Sequence, residues 1–414
     1  MPQLRFRGDP SAERVRGDPL PSRPGVHRVP GDLRASEGDV TTVMTTSVKS
    51  ATTDTAPHAS GWHRLRVTEV ERLSGEAVAI RLDVPDRLAG VFAHRAGQHV
   101  AVRHLPDGDG GTELRRSYSV CLPPAERSGL RLVVKRLGPG GFAEYATTRL
   151  AAGDSLELAP PTGGFALADH PGAHHVLVAG GSGITPLLSM AAAALRDDPR
   201  CRVSLVYANR TAASVLLADE LADLKDAYVD RFFVLHVLSQ ETREAELLSG
   251  RIDKGRLTKL LALLGAEPDD DGFFYLCGPR GLVDSVREAL TCWGADPARV
   301  RFELFSTGDG PAETIDGDVQ GRPGRITARL AGRTTVAAMG PDDRVVLDAV
   351  LRARPETPYS CRDGLCGTCR AKVVSGSVRM DRQYALGEAE LAGGYTLACR
   401  ARPESDEVGL DFDA

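Results

Sequence analysis

Polar and apolar residues alternate along His63-Arg-Leu-Arg-Val-Thr-Glu-Val, and again through 77–83, 99–103 and 129–135, with Pro, Gly and Asp clusters between them. A period of two puts every second side chain on one sheet face, so these segments read as short, half-buried strands. Their close spacing predicts an antiparallel β-barrel over residues 61–168. Near His174 the pattern changes. Val176-Leu-Val-Ala, Val203-Ser-Leu-Val-Tyr and Phe273-Phe-Tyr-Leu-Cys are short apolar runs, each followed by a stretch of helical period at 185–196, 218–227 and 281–293. Strand–helix alternation predicts a parallel α/β sheet over 172–305. Residues 306–324 are rich in Gly, Pro and Asp and read as a linker, and a third, smaller unit runs from 325 to 414.

Ahead of the first strand the texture is different. The first forty residues hold seven Arg, six Asp or Glu and six Pro, with few large apolar side chains and no period. Such a stretch cannot bury enough surface to offset its ordering entropy, so residues 1–58 are expected to form a disordered tail. Met44 opens a Thr/Ser-rich leader and is a candidate start of translation, the alternative being a genuine floppy tail. The composition, 42% hydrophobic and 26% charged, fits a globular chain with sizeable cores. The longest apolar run, Met190 to Leu195, is six residues, far short of the ~18 a membrane-spanning helix needs. A net charge of −5 gives no basic field for nucleic acid. No membrane and no nucleic-acid partner is expected.

The eight cysteines fall into two sets. Cys121, Cys201, Cys277 and Cys292 are scattered, and Cys121, Cys201 and Cys292 read as buried or incidental thiols. Cys361, Cys366, Cys369 and Cys399 stand as C-x4-C-x2-C-x29-C. That is the plant-type [2Fe–2S] spacing. Zinc sites pair C-x2-C with a second C-x2-C or with histidines, and residues 325–414 contain no histidine. With no secretory signal, a disulfide framework is not expected, and free thiols fit the cytoplasm.

The run Pro358-Tyr-Ser-Cys-Arg-Asp-Gly-Leu-Cys-Gly-Thr-Cys-Arg-Ala-Lys-Val, with Gly393-Gly-Tyr-Thr-Leu-Ala-Cys, resembles the cluster loop of plant-type ferredoxin domains, which implies a β-grasp fold for 325–414. Those ferredoxins are acidic, whereas this segment carries 13 Lys/Arg against 13 Asp/Glu, and Arg362, Arg370 and Lys372 crowd the loop. That departure suggests a different partner surface.

The preceding 250 or so residues resemble the ferredoxin–NADP⁺ reductase family. Arg116-Ser117-Tyr118-Ser119 is similar to its RxY[ST] motif, and Gly97-Gln98-His99 precedes it as the family's PGQ strand does, with Ala96 in place of proline. The resemblance implies that Arg116 pairs with a flavin phosphate, that Tyr118 offers its face to the isoalloxazine and that Ser119 reaches ring atom N5. Val134, Lys135, Gly140, Gly141, Phe142 and Ala143 resemble the segment that holds the flavin pyrophosphate, where amides at a helix start favour an anion. Relatives commonly carry Ser where Ala143 stands. FAD is expected rather than FMN.

Gly180-Gly181-Ser182-Gly183-Ile184-Thr185-Pro186, between a strand and a helix, resembles the family's GxGxxP nucleotide loop. Asn209 and Arg210 end the second strand of that unit. Arg210, with Ser214, offers groups for a ribose 2′-phosphate where an NAD site would place a carboxylate, which favours NADPH; the alternative is a solvated Arg. Cys277-Gly278-Pro279 resembles the CGP turn beside the nicotinamide, and Glu303-Leu-Phe305 the closing E-x-[YF] that approaches the flavin. Cys277 as a small buried residue and Phe305 as ordinary core are the structural alternatives.

The resemblance covers residues 61–414 in the order flavin barrel, nicotinamide domain, ferredoxin domain, an order found in oxygenase reductases. Within that family Ala208–Asp226, Leu238-Ser-Gln-Glu-Thr and 247–253 most resemble the reductases of phenylacetyl-CoA epoxidation. It implies an enzyme passing electrons from NADPH through FAD and a [2Fe–2S] cluster to a di-iron oxygenase, with Ser119, Cys277 and Glu303 at the site of hydride transfer. A reductase for another oxygenase, such as a Rieske-type steroid or aromatic hydroxylase, and a redox sensor are the alternatives.

Overall fold

The computed structural model describes residues 61–105, 113–121, 129–268, 272–305, 324–380 and 383–414, all within one compact unit that spans Thr55–Ala414. The tail at 1–58, Met44 and nearly all of the linker at 306–324 lie outside the described residues.

The alternating segments build an antiparallel sheet from β1 (His63–Ser74), β2 (Ala77–Asp83), β3 (His99–His104), β4 (Leu114–Ser119), β5 (Leu130–Lys135) and, after helix α1 (Gly141–Thr148), β6 (Ser155–Leu158). Their order is β4-β3-β6-β1-β2-β5, and the bridge between Val120 and Leu132 brings the two edges together as a barrel. The closure is local, among the described residues a single bridge next to the Cys121 N–H to Arg131 carbonyl bond. Its inward residues, Leu65, Val67, Ile80, Leu82, Val100, Val102, Leu132 and Val134, are buried around Phe142 of α1.

The second unit is a parallel sheet in the order β11-β10-β7-β8-β9. It runs β7 (His174–Gly180), α2 (Ile184–Asp197), β8 (Arg202–Asn209), α3 (Ala218–Ala227), β9 (Phe232–Leu238), α4 (Lys254–Leu263), β10 (Gly272–Gly278), α5 (Arg280–Trp293) and β11 (Val300–Leu304). Strands β7 and β10 carry near-continuous apolar runs because helices cover both faces of a parallel sheet. The chain order reverses beside β7, so the carboxyl ends of β7, β8 and β10 form the crevice where such sheets bind ligands.

The third unit is a mixed sheet, β13-β12-β18-β14-β16, with a two-stranded β15–β17 ribbon. Its elements are β12 (Arg325–Leu330), β13 (Arg333–Ala338), α6 (Val346–Ala353), β14 (Arg370–Ser375), β15 (Val378–Met380), α7 (Glu388–Ala392), β16 (Tyr395–Leu397), β17 (Ala401–Pro403) and β18 (Glu407–Asp411). Helix α6 lays Val346, Leu347 and Val350 on that sheet, the β-grasp arrangement. Among the described residues no helix is long and apolar enough to cross a membrane.

The parallel sheet buries two histidines at the start of its central strand, β7. Arg202 donates to His174 Nδ1 at 2.9 Å, which leaves Nε2–H to donate to Ser204 at 2.8 Å. Burial drives His174 and His175 down to about 4, reinforced at His174 by the charge of Arg202. Below a pH of about 6.5 the unfolded chain takes up protons that the folded one refuses, so stability is full above that value and falls as the pH drops toward 4. Each histidine should cost about 2 kcal/mol at pH 5. Thermal melts across pH 7.5–5 should show that decline, and a flat melting temperature would contradict it.

Candidate functional site

The cluster cysteines lie in one corner of the ferredoxin domain. Cys361, Cys366 and Cys369 sit on the loop between α6 and β14, and Cys399 lies two residues past β16. The sulfurs associate as two pairs, Cys361 with Cys366 and Cys369 with Cys399. Among the described residues no three ligands converge as they would about one metal ion. Two pairs are what two iron atoms need, so the donor set fits a [2Fe–2S] cluster. Backbone N–H groups of Asp363 and Leu365 point at Cys361 Sγ, each at 3.4 Å. Arg362 takes φ +59, a costly backbone conformation for a side-chain-bearing residue. Its guanidinium donates to Asp348 at 3.0 Å, and Arg370 is held by Glu390 at 2.8 Å. The basic crowd expected around the loop is therefore partly neutralised by its own domain.

Strand β4 displays the flavin motif. Alternation sends Arg116 and Tyr118 to one face and Arg115, Ser117 and Ser119 to the other. Arg116 is exposed, and Tyr118 packs on Phe142 with ring centroids 5.5 Å apart. Burial raises the Tyr118 phenol well above its ordinary range, keeping it neutral. Val134 and Phe142 belong to the barrel core, so Val134 has only backbone to offer a ligand and Phe142 buttresses Tyr118. Ser117 Oγ is buried without a partner. Gly140 and Gly141 open α1, and a Cβ at either would meet nothing within 4 Å. The Gly140 amide is already taken by the Glu144 carboxylate, an anion standing where a phosphate would. An open glycine cradle with positive helix end, the exposed Arg116 and a flat aromatic wall fit a flavin phosphate ester, while the orphan Ser117 hydroxyl lies on the other face of β4. Ala143 follows the two glycines in the first turn of α1, and Lys135 ends β5 five residues before Gly140.

At the top of the parallel sheet, Gly183 and Cys277 are pressed together. A Cβ on Gly183 would fall 2.2 Å from the Cys277 carbonyl, and one on Gly180 2.6 Å from Leu282. Gly278, at φ +154, crosses Gly180 just as closely. Above Gly181 the space is open, which leaves its backbone facing the crevice. Thr185 bonds the Ser182 carbonyl at 3.1 Å, and Pro186 is buried in the first turn of α2. Pro279 starts α5. Asn209 is buried with Nδ2 unpartnered, while Arg210 is exposed and its guanidinium has no partner among the described residues. Ser214 is engaged with Thr211 in a capping box.

Strands β10 and β11 place Cys277 opposite Glu303. Burial pushes the Cys277 thiol well above its ordinary range, and the Glu303 charge adds to this. It is a protonated, non-nucleophilic wall. Phe305 follows β11 and donates its N–H to Gly278 at 3.3 Å. Ser119 Oγ donates to Glu303 Oε2 at 3.3 Å, and the other carboxylate oxygen lies 3.5 Å from His99 Nδ1. His99 Nε2 lies 3.4 Å from Thr368 Oγ1, between cluster ligands. Burial is the largest influence and opposes charge on His99, but Glu303 and the Cys366 sulfur together outweigh it and raise the imidazole pKa.

Two buried guanidiniums dock the domains. Arg115 donates to the carbonyls of Thr357 at 3.1 Å and Pro355 at 3.3 Å, and lies 4.8 Å from the Trp62 ring and 4.0 Å from that of Tyr359. Arg131 reaches Glu220 of α3 at 2.7 Å. A cavity of about 600 Å³ runs along the three-domain junction, lined by Trp62, Pro161, Glu303, Tyr359, Cys366 and Leu386 among others. Sequence reading missed the docking role of Arg115, Trp62 and Tyr359 and the contacts of His99 and Thr368. Alternation in β4 places Arg115 on the Ser119 face, but its partners are 240 residues away.

Sequence comparison agrees with this architecture. Residues 64–167 match the oxidoreductase FAD-binding domain, 177–288 the oxidoreductase NAD-binding domain and 329–404 the 2Fe-2S iron–sulfur cluster binding domain. The chain belongs to the ferredoxin-reductase-type oxidoreductases that use FAD and a nicotinamide nucleotide and carry a C-terminal [2Fe–2S] domain. Among its relatives is the E subunit of the 1,2-phenylacetyl-CoA epoxidase of Escherichia coli, 38% identical over 359 residues, 85% of this chain and 98% of the relative. The ferredoxin reductase component of the 3-ketosteroid-9-alpha-monooxygenase of Rhodococcus rhodochrous is 32% identical over 87% of this chain and 100% of its own. Phthalate dioxygenase reductase, a solved structure, superposes with a TM-score of 0.53 at 26% identity over 85% of this chain and 98% of its own.

Replacing Arg115 with Ala should loosen the ferredoxin domain by about 2–4 kcal/mol, because two carbonyls lose their donor. Lys should not rescue it, since an ammonium cannot bridge both carbonyls while stacked between two rings. Cluster bleaching should then precede flavin release on heating. Coincident transitions in Arg115→Ala would contradict the clamp.

Proposed function

We propose that this chain is the NADPH-dependent reductase of a di-iron oxygenase, that of phenylacetyl-CoA epoxidation. The observation that carries the electron route is the succession Ser119, Glu303, His99 and Thr368, in which two hydrogen bonds flank a 3.5 Å ion-pair contact between Glu303 and His99 Nδ1, and which runs from the flavin strand to the cluster loop past the end of the parallel sheet. The partner rests on the 38% identity to the E subunit of the epoxidase across nearly its whole length. A reductase for another oxygenase is the second reading, favoured by the 32% identity to the ketosteroid monooxygenase component. Free thiols suit a reducing cytoplasm.

Bound FAD supplies a two-electron acceptor for hydride, and the cluster a one-electron carrier toward the oxygenase. The protein's part is binding, orientation and charge. In this reading Arg116 and the amides of Gly140 and Gly141, the first once Glu144 releases it, would hold the flavin phosphates; Ser117, on the other face of β4, would offer only backbone, and Val134, Lys135, Phe142 and Ala143 would shape the pocket with Tyr118 against the ring. Gly180, Gly181, Ser182 and Gly183, with Thr185 and Pro186 fixing the helix start, present amides to the nucleotide pyrophosphate. Cys277, Gly278 and Pro279 would form the wall against the nicotinamide, and Phe305 would lie over the flavin. Ser119 would present its hydroxyl to flavin N5; because its one proton is donated to Glu303 here, it would either accept there or turn that proton from Glu303 to N5.

Arg210 carries the coenzyme choice, assisted by the unpartnered Asn209 amide. Its guanidinium can make charge-assisted bonds to a 2′-phosphate of about 1.5–3 kcal/mol, which NADH forgoes. Ser214 contributes by capping the turn that presents Arg210, since its hydroxyl donates to Thr211. A preference for NADPH of about tenfold to a hundredfold in kcat/KM follows. Arg210→Ala should remove most of it by weakening NADPH alone. Equal use of both coenzymes by the native protein would refute the role of Arg210. For the partner, NADPH-driven turnover with purified di-iron epoxidase and with a Rieske-type hydroxylase should favour the first; the reverse order would overturn the assignment.

A further inference from the structure

Three domains meet on one imidazole. His99 leaves β3 directly opposite Ser119 on β4, is 2% exposed, and sits against Gly163, where a Cβ would fall 2.9 Å from Nδ1. Its two nitrogens face different domains, Nδ1 toward Glu303 of the nicotinamide unit at 3.5 Å and Nε2 toward Thr368 of the cluster loop at 3.4 Å. Nothing else in the described residues joins the carboxylate beside Ser119 to the loop between Cys366 and Cys369. Nδ1 makes no hydrogen bond and meets Glu303 only as an ion-pair contact, and a buried imidazole with an unsatisfied nitrogen aimed at a carboxylate of another domain is expensive to retain without a purpose.

We propose that His99 is a positioning residue that sets two geometries at once: the Glu303 carboxylate at the hydride-transfer corner through Nδ1, and the cluster loop at the flavin barrel through Nε2. A rigid five-membered ring fixes the separation of its nitrogens, so a shift of Thr368 is transmitted to Glu303 and the reverse. Misplacement by an ångström at either end costs up to about a hundredfold in a rate that depends on alignment. The proposal rests on the electron route put forward above, and the two fail differently. The route fails if the native protein reduces cytochrome c equally well after its cluster has been removed. The positioning role is judged from the variants below in protein carrying both cofactors.

The two nitrogens can be separated chemically. Asn places its amide near the position of imidazole Nδ1, and Gln places its amide near Nε2. His99→Ala should slow both flavin reduction by NADPH and the subsequent flavin-to-cluster transfer, each by about tenfold, in stopped-flow absorbance at full FAD and iron content. His99→Asn should restore mainly the first step and His99→Gln mainly the second. The electron paramagnetic resonance signal of the dithionite-reduced cluster, a readout independent of turnover, should shift in His99→Ala and Thr368→Val and return toward native in His99→Gln. Removing the Thr368 hydroxyl should slow transfer to the cluster in the native background but not further in His99→Ala, the non-additivity expected of one shared contact. If His99→Ala cannot be purified with both cofactors, the Asn and Gln variants carry the test alone. Equal rates for Asn and Gln in both steps, an unchanged resonance signal, or additive effects of His99 and Thr368 would overturn the proposal.

Discussion

The buried guanidinium of Arg115 is the contact on which the arrangement depends. Two redox groups on separate domains can exchange single electrons within one chain only if the domains keep a fixed distance. A ferredoxin domain joined through a long connection would sample many positions unless something holds it. Arg115 holds it with two backbone carbonyls of residues 355–357 and the Tyr359 ring, while the barrel's own Trp62 ring also lies against the guanidinium. Carbonyls are suitable partners because side-chain substitution does not remove them, and a planar cation can stack and bridge at once. Arg131 performs the matching task between barrel and nucleotide sheet through Glu220. With both in place, Ser119, Glu303, His99 and Thr368 fall into line.

The chemistry in that line is conservative. Cys277 is kept protonated by burial and serves as a wall, and Tyr118 is kept neutral for the same reason. Glycines at 180, 183 and 278 let the nucleotide loop and the β10 turn approach closer than any side chain allows. The protein therefore shapes and aligns more than it reacts, as expected where cofactors carry the electrons.

Much of this was legible in the residues, and the failures have a common cause. Cysteine spacing defined the cluster because its loop is local and its ligands are few. Period-two alternation gave β1, β2, β3 and β5, and strand–helix switching gave the parallel sheet. Strand β9 and helix α4 were not singled out. The Phe232–Leu238 run is an edge strand whose middle is half exposed, so its apolar character does not follow burial. Helix α4 announces itself only through the Asp253 cap and a modest apolar stripe. Ser214 read as a ligand because a hydroxyl in a loop does not reveal that it caps its own turn. The basic residues around the cluster read as a partner surface because their acidic partners, Asp348 and Glu390, lie 14 and 20 residues away. Arg115 and His99 were invisible as junction residues for the same reason on a larger scale: their partners in the other domains are more than 200 positions away.

The central claim is that the electron path lies within a single docked chain. Rapid mixing of the FAD- and cluster-loaded protein with NADPH, followed at flavin and cluster wavelengths over a wide range of protein concentration, tests it directly. Flavin bleaching should come first, and cluster reduction should follow at a rate independent of protein concentration. A cluster-reduction rate that rises with protein concentration would mean that electrons pass between molecules, and would contradict the docked arrangement.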